Sequence, residues 1–182
     1  TKLGKLPKSW DVISVDLIAN IIDPQPDHRT PPSVKNGIPY ISSGDIKNDG
    51  TLDFKNCRKV SYSVLSKQIE QFNIYENAFI FGKIGTIGKP VQISSERAFC
   101  LSANIILITS KNLLNQRFLY QLFSSDLINN QVSDQTNTTS QPALGIKKVR
   151  NFLIPMPPEQ ERIKICKILE SVDENILIKQ KM

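Results

Sequence analysis

The sequence predicts a mixed α/β (α+β) domain, a twisted mixed sheet with short helices, followed by a long C-terminal coiled-coil helix. Three observations carry that prediction. Asn77 to Ile80 and Ala98 to Thr109 are β-rich runs on either side of the glycine-bearing GKIGTIGKP, which reads as strand, turn and strand. Phe118, Leu119, Leu122 and Leu127 recur at helical spacing within Asn115 to Asn130. From Glu159 through Met182 there is no Gly or Pro, and Ile165, Leu169, Val172 and Ile176 recur with Ile168 beside them, as in a helix with an apolar seam.

Taken in order, Asp11 to Ile22 reads as a short amphipathic helix with Ser14 as N-cap and Leu17, Ile18, Ile21 and Ile22 on one side. Residues 23–37 hold four prolines, a glycine, the only histidine and two bases, a loop composition. IPYISSGDIKNDGTLDF is an apolar run ending in Ser-Gly, a turn at Asn48-Asp49-Gly50 and a second short strand. Ser61 to Ser66 reads as a short capped turn or helix. Gln131 to Pro142 is polar enough to be expected as a loop, and a loop that long is functional or disordered. GIKKVRNF is short and basic, and the prolines of FLIPMPP forbid helix and favour an extended segment. Pro157 and Pro158 then set up the last helix, with Glu159 and Glu161 at its positive end; 24 residues would span about 36 Å. The organisation expected is a domain over 1–156 and a helix over 157–182.

At 182 residues, 40% hydrophobic and 22% charged, the chain is neither disordered nor a mini-protein. Its longest strongly apolar stretch, Ala98 to Thr109, is interrupted by Ser102 and Asn104 and is too short to span a bilayer. The three cysteines, Cys57, Cys100 and Cys166, form no CxxC pair, so neither a disulfide framework nor a zinc site is written, which suits a reducing cytosol. No signal peptide is visible, although the chain starts at Thr1 and a preceding segment is compatible with that.

The formal charge of +6 is unevenly spread. The stretch from Glu159 onward has five acids and five bases, so the body carries 18 bases against 12 acids. Residues 28–89 hold nine bases against five acids, and Lys147, Lys148 and Arg150 form a second cluster. A basic body with a neutral tail fits a polyanion-binding surface and a separate assembly element, against the plainer reading of a solvated basic face.

Catalytic signals are sparse. His28 lies in a proline-rich loop and no GxSxG elbow accompanies it. Gly82, Gly85 and Gly88 match neither a P-loop nor GxGxxG, and read as turn residues that bring backbone N–H groups, Lys83 and Lys89 toward a ligand. Pro26-Asp27 followed by Asp53-Phe54-Lys55 fits the loose PD...DxK pattern of metal-dependent nucleases. There Asp27 and Asp53 would hold Mg²⁺ and Lys55 would support the attacking water. That alternative has Asp27 in a loop rather than on a strand.

In order along the chain, LGKLPKSWDVISVDLIANII, GIPYISSGDIKNDGTLDF, FIFGKIGTIGKP, AFCLSANIILI, RFLYQLFSS and FLIPMPPEQERIKICKILESVDENI resemble half of the specificity (S) subunit of type I restriction-modification systems. The proline segment running into PPEQERI and a long helix is the most specific of these. The resemblance implies a target recognition domain that reads one half of a split double-stranded DNA sequence. The helix would pair antiparallel with another, so that protein length sets the spacer. It implies no catalysis and no cofactor in this chain: S-adenosylmethionine, ATP and Mg²⁺ would belong to the partner adenine methyltransferase and restriction/translocase subunits, in a prokaryotic cytoplasm. Family members usually carry two recognition domains and two helices, so a fragment or a half-length homodimerising subunit is expected. The loop DPQPDHRTPPSV is expected to hold the target preference.

On that basis Arg29, Lys35, Lys47, Arg58, Lys59, Lys83 and Lys89 are expected at phosphates, which supply most affinity. His28, Arg29, Ser42, Ser43, Asn48, Gln135, Asn137 and Thr138 are expected at base edges, where Asn, Gln and Arg offer paired donors and acceptors. Ile165, Ile168, Leu169, Val172 and Ile176 are expected to pair helices, and no residue is assigned to a metal.

Overall fold

The computed structural model describes residues 3–74, 78–94, 96–136 and 142–180. In chain order its elements are β1 (Asp11–Ser14), β2 (Ala19–Ile22), β3 (Ile38–Ile41), β4 (Arg58–Val60), α1 (Tyr62–Gln71), β5 (Phe79–Gly82), β6 (Pro90–Gln92) and β7 (Cys100–Leu101). There follow β8 (Ile105–Ser110), α2 (Gln116–Phe123), α3 (Asp126–Thr136), α4 (Ile146–Arg150), β9 (Leu153–Met156) and α5 (Glu159–Gln180). The strands form a four-stranded antiparallel sheet β2-β8-β5-β6, a three-stranded sheet β4-β3-β7 with β3 and β7 parallel, and a β1-β9 ribbon. The mixed α/β prediction is borne out.

The four-stranded sheet is buried on both faces because β5 and β8 are continuous apolar runs, and period-two alternation sends successive side chains to opposite cores. Phe79, Phe81, Ile106 and Ile108 face α2 and α3, meeting Phe118, Leu119, Phe123 and Ile128. Ile80, Ile105 and Leu107 face the other way, toward Ile41, Phe99 and Leu101 of the β3/β7 layer. Phe123 stands perpendicular to Phe81 with ring centroids 5.1 Å apart, an edge-to-face contact.

Asp11 to Ile22 is not a helix. It forms β1 and β2, joined by a single 3₁₀ turn over Val15–Leu17. Val12, Ile13, Val15, Ile18, Ile21 and Ile22 are β-branched, which favours strands, and each strand finds an antiparallel partner, β9 and β8 respectively. Ser14 spends its hydroxyl on Asp16 Oδ1 at 2.5 Å and caps nothing. The second strand expected after Asn48-Asp49-Gly50 is reduced to one bridge, Ile46 to Leu52, and the pairing strand is β4 further on.

The helix expected over Asn115 to Asn130 is broken into α2 and α3. Ser124 and Ser125 turn their hydroxyls back onto the carbonyls of Tyr120 (2.9 Å) and Leu122 (2.6 Å), competing with helix propagation. The expected loop from Gln131 is helical as far as Thr136, because Ile128 and Val132, four residues apart, seat α3 on the core. Gln131 adds a two-way amide clasp on Leu153, donating to its carbonyl at 2.9 Å and accepting its N–H at 2.8 Å. Ser61 to Ser66 extends into the longer α1, and the basic segment forms α4.

Helix α5 is 22 residues, about 33 Å. Its first half lies on the domain: Cys166 is buried, Ile165 packs beside it, Trp10 donates to Glu161 at 3.0 Å, and Arg117 pairs with Glu170 at 3.1 Å. Gln121 reaches Asp173 at 3.0 Å.

Candidate nucleic-acid interface

Sheet register brings three loops to one end of β8. Ile22 pairs with Leu107 and Gly82 with Ile105, so the loops leaving β2 and β5 both emerge where β8 begins. Ser42, after β3, meets Asn104 there at 3.5 Å. Segment 142–145 joins them through Leu144 N–H, which donates to the Lys83 carbonyl at 2.9 Å, and a bridge from Ile84 to Ala143.

The first loop, residues 23–37, is anchored along its length. Lys83, expected at phosphate, is instead buried and paired with Asp23 at 2.8 Å, so it ties the loop root to the end of β5. Gln25 accepts from the Tyr40 hydroxyl and donates to the Arg29 carbonyl. Gln68 of α1 donates to the Pro24 carbonyl at 3.2 Å and to the Leu101 carbonyl at 2.7 Å, and accepts from Leu101 N–H at 2.9 Å. Arg58 donates to the Pro31 carbonyl at 2.8 Å, so this expected phosphate contact also braces the loop. Burial pushes the Tyr40 phenol up to about 12, which keeps it a neutral donor.

On that footing the tip stands out into solvent. His28, Arg29 and Lys35 are exposed, and His28 has φ +53°, the left-handed region that costs a non-glycine residue about 1 kcal/mol. Strain of this kind persists where the surroundings over-determine the backbone. Lys59 joins this group, its carbonyl accepting Val34 N–H at 3.0 Å. Between the loop and α1 lies a groove of about 530 Å³, with Arg29 on one wall and Ser63, Lys67 and Gln71 on the other. Lys67, Gln68 and Gln71 were not legible as site residues because α1 was expected to end at Ser66, and the anchors Gln25 and Tyr40 were not because their contact exists only once the loop packs on β3. Val64 and Leu65 followed by Ile69 was the signal that it continues.

The second group is the turn over 42–50 against the β5–β6 turn. Lys47 and Asn48 are exposed. Lys89 spends its ammonium on their carbonyls, at 3.0 and 2.8 Å, and clips the turn. Ser42 N–H donates to Asp45 at 2.7 Å, while Ser43, expected at a base edge, is buried and donates its hydroxyl to the Ile84 carbonyl. The glycines are turn residues: a Cβ on Gly82 would lie 1.6 Å from the Thr86 carbonyl, and Gly85 has φ +82°. Hydrogen bonds from Thr51 hold the exposed Asp49 carboxyl below its usual range, whereas burial raises that of Asp45.

In a third group, Lys148 donates to the Gln135 carbonyl at 2.8 Å, joining α4 to the end of α3. Asn137 and Thr138 lie outside the described residues.

The nuclease alternative finds no support. The Asp53 carboxylate is occupied by its own turn, accepting from Lys55 N–H and Asn56 N–H at 3.1 Å and from the Asn56 amide at 2.8 Å. Asp27 likewise accepts Arg29 N–H at 3.2 Å. Among the described residues no group of three or more His, Cys, Asp or Glu could hold a metal ion. Also among the described residues, no helix is long and apolar enough to cross a membrane.

The expected helix seam is divided. Ile165 packs on its own domain, while Ile168, Leu169, Val172 and Ile176 are exposed, joined by Ile178. At 100° per residue Ile168, Leu169, Val172 and Ile176 lie about 110° around the helix from the face that carries Cys166, Glu170 and Asp173.

Braced basic loops converge on one end of a buried sheet, beside a helix with an uncovered apolar stripe, which is the geometry of a binding domain. Residues 7–182 match the type I restriction modification DNA specificity domain, and the chain belongs to that family. It is similar to the type I restriction enzyme EcoBI specificity subunit of Escherichia coli, 22% identical over 176 residues that cover 92% of this chain and 35% of the relative. The MjaVIII specificity subunit of Methanocaldococcus jannaschii is 24% identical over 94% of this chain and 38% of its own length. The fold is shared with the crystal structure of the HsdS subunit from Thermoanaerobacter tengcongensis, at TM-score 0.61 and 21% identity, covering 97% of this chain and 45% of that one. The chain thus spans between about a third and just under half of the length of these relatives.

Proposed function

We propose that this chain reads one half of a bipartite double-stranded DNA target for a type I restriction-modification complex and performs no catalysis itself. The observation that carries the reading is the braced loop over residues 23–37, which holds His28 and Arg29 outward on buried polar anchors in a chain of the DNA specificity family. Lys35, Lys47 and Lys59 supply phosphate contacts that set register and most of the affinity, with Arg58 contributing from its brace. His28, Arg29, Asn48 and Gln135 read base edges. Lys83 and Ser43, with their polar groups engaged inside the protein, and Lys89, clipped to two surface carbonyls, shape the loops.

Residues 1–156 act as the recognition domain and 157–182 as the spacer. The stripe from Ile168 to Ile176 pairs with a second helix, from another recognition half or a second copy, and fixes the separation of half-sites. Adenine methyltransferase and restriction/translocase subunits bring S-adenosylmethionine, ATP and Mg²⁺, in a prokaryotic cytoplasm. The test is fluorescence anisotropy on random duplex from about 50 to 200 mM salt, where affinity falls log-linearly with salt. Lys35→Ala is expected to reduce that slope by about 1 and weaken all sequences alike. Arg29→Ala is expected to cost about 1–3 kcal/mol on the preferred sequence alone. Salt-independent binding, or cleavage of duplex by this chain with Mg²⁺ alone, would overturn the reading.

A further inference from the structure

The geometry points to Gln68 as a positioning residue for sequence preference: its buried amide locks α1 to the root of the 23–37 loop, so that tip and helix form one fixed reading groove. This deepens the proposed DNA-reading function and rests on it. The amide makes three bonds, with both of its N–H donors used. It donates to Leu101 and Pro24 carbonyls and accepts Leu101 N–H, so it grips the edge strand β7 and the loop in one side chain. Gln25 continues the chain of contacts, joined to Tyr40 of β3 on one side and to the Arg29 carbonyl on the other. Gln68, Pro24, Gln25 and Tyr40 are all buried, and the series ends on the backbone carbonyl of the exposed Arg29. Loss of one link leaves neighbours unpaired, and they recover partners only if the loop moves.

Gln68 and Tyr40 are buried and their polar groups are engaged within the protein, so their part is to hold the groove rather than to supply charge to phosphates. Lys67 and Gln71, on the exposed part of the same helix, line the groove opposite Arg29 and meet DNA there. Base reading demands that two walls hold their spacing to a fraction of an ångström, whereas attraction to phosphates tolerates a moving wall. The two properties therefore separate on mutation.

The test uses the full chain and the preferred duplex that the wild-type protein selects from a randomised pool. In Gln68→Met, the ratio of preferred to random affinity is expected to fall by about tenfold or more while random-duplex affinity and its salt slope stay within about twofold. Tyr40→Phe removes only the hydroxyl on Gln25, gives a smaller loss in the same direction, and carries the test if Gln68→Met does not fold. Gln116→Met is the control. Gln116 is also buried and its amide accepts Ser110 N–H, but Ser110 pairs with Ala19 at the far end of β2 from the loop root. Its ratio is expected to match wild type. An unchanged ratio in the folded Gln68 and Tyr40 variants, or a loss shared equally by random and preferred duplex, overturns the positioning role. A wild-type chain that binds no duplex would instead remove the DNA-reading function beneath it.

Discussion

Lys83 carries its charge into a place where only 9% of the side chain meets water, and Asp23 at 2.8 Å is what makes that tolerable. Removing one partner of a buried pair leaves the other uncompensated, so Lys83→Met is expected to cost about 3 kcal/mol in urea unfolding, with Lys83→Met/Asp23→Asn recovering much of it. A double variant no better than the single would mean the pair is solvated after all. Lysine in a glycine-flanked turn looked like a phosphate ligand because residue type alone cannot tell a cation aimed outward from one matched to an acid 60 positions earlier. The same burial governs the thiols and Tyr40. It pushes Cys100 up to about 11 and Tyr40 up to about 12 from ordinary values of 9.0 and 10.0, and it raises Cys57 and Cys166 as well. Because the folded values are raised, the stability from keeping these groups protonated is complete at neutral pH and is lost as pH climbs from about 9 through 11 for Cys100 and from about 10 through 12 for Tyr40. The expected melting temperature therefore drops across that range, and the three cysteines resist alkylation at pH 8 until the fold is unfolded. Rapid labelling of the native protein would contradict their burial.

Helix α5 is two things along its length. Up to Asp173 one face is committed to α2, and from Ile168 onward a second face is apolar and uncovered. Leu169→Asp/Ile176→Asp therefore leaves the melting temperature of the domain nearly unchanged while abolishing helix pairing, read as a fall in solution mass. A mass unaltered by the substitution, in a chain that is paired as wild type, would show that pairing uses another surface. The contrast with Phe79→Ala is the internal check: that change opens the core under Phe123 and costs about 3–5 kcal/mol. These elements differ in how far they could be read in advance. β5 and α5 were legible because an apolar run and a 24-residue stretch without Gly or Pro leave little choice, whereas the single run expected over Ala98 to Thr109 is divided at Ser102 to Asn104 into β7 and β8 of different sheets. The segment from Asp11 to Ile22 was misread because its apolar positions fit both periods, and only pairing with β9 and β8 decides. α3 was missed since two buried anchors, Ile128 and Val132, outweigh a polar composition once a core exists to receive them.

The molecule as a whole separates stiffness from recognition. A sheet buried on both faces fixes where β2, β5 and β8 end, and the basic loops inherit that position through Asp23–Lys83, Gln68 and Lys89. The location of the site was legible in outline, since the proline loop, the Asn-Asp-Gly turn and the glycine turn are all recognisable signals. Its internal division was not: which cation faces out and which braces a carbonyl depends on contacts such as Arg58 to Pro31, 27 residues away. The net +6 lies in the body rather than in the helix, as the proposed split between reading and assembly requires. The central claim is that this body prefers one short DNA sequence. Selection of duplexes from a randomised pool at about 150 mM salt, sequenced before and after, tests it most directly. Enrichment of a single short motif, lost in Arg29→Ala, is the expected result; a pool that emerges unchanged, from a protein that is folded and paired, would contradict it.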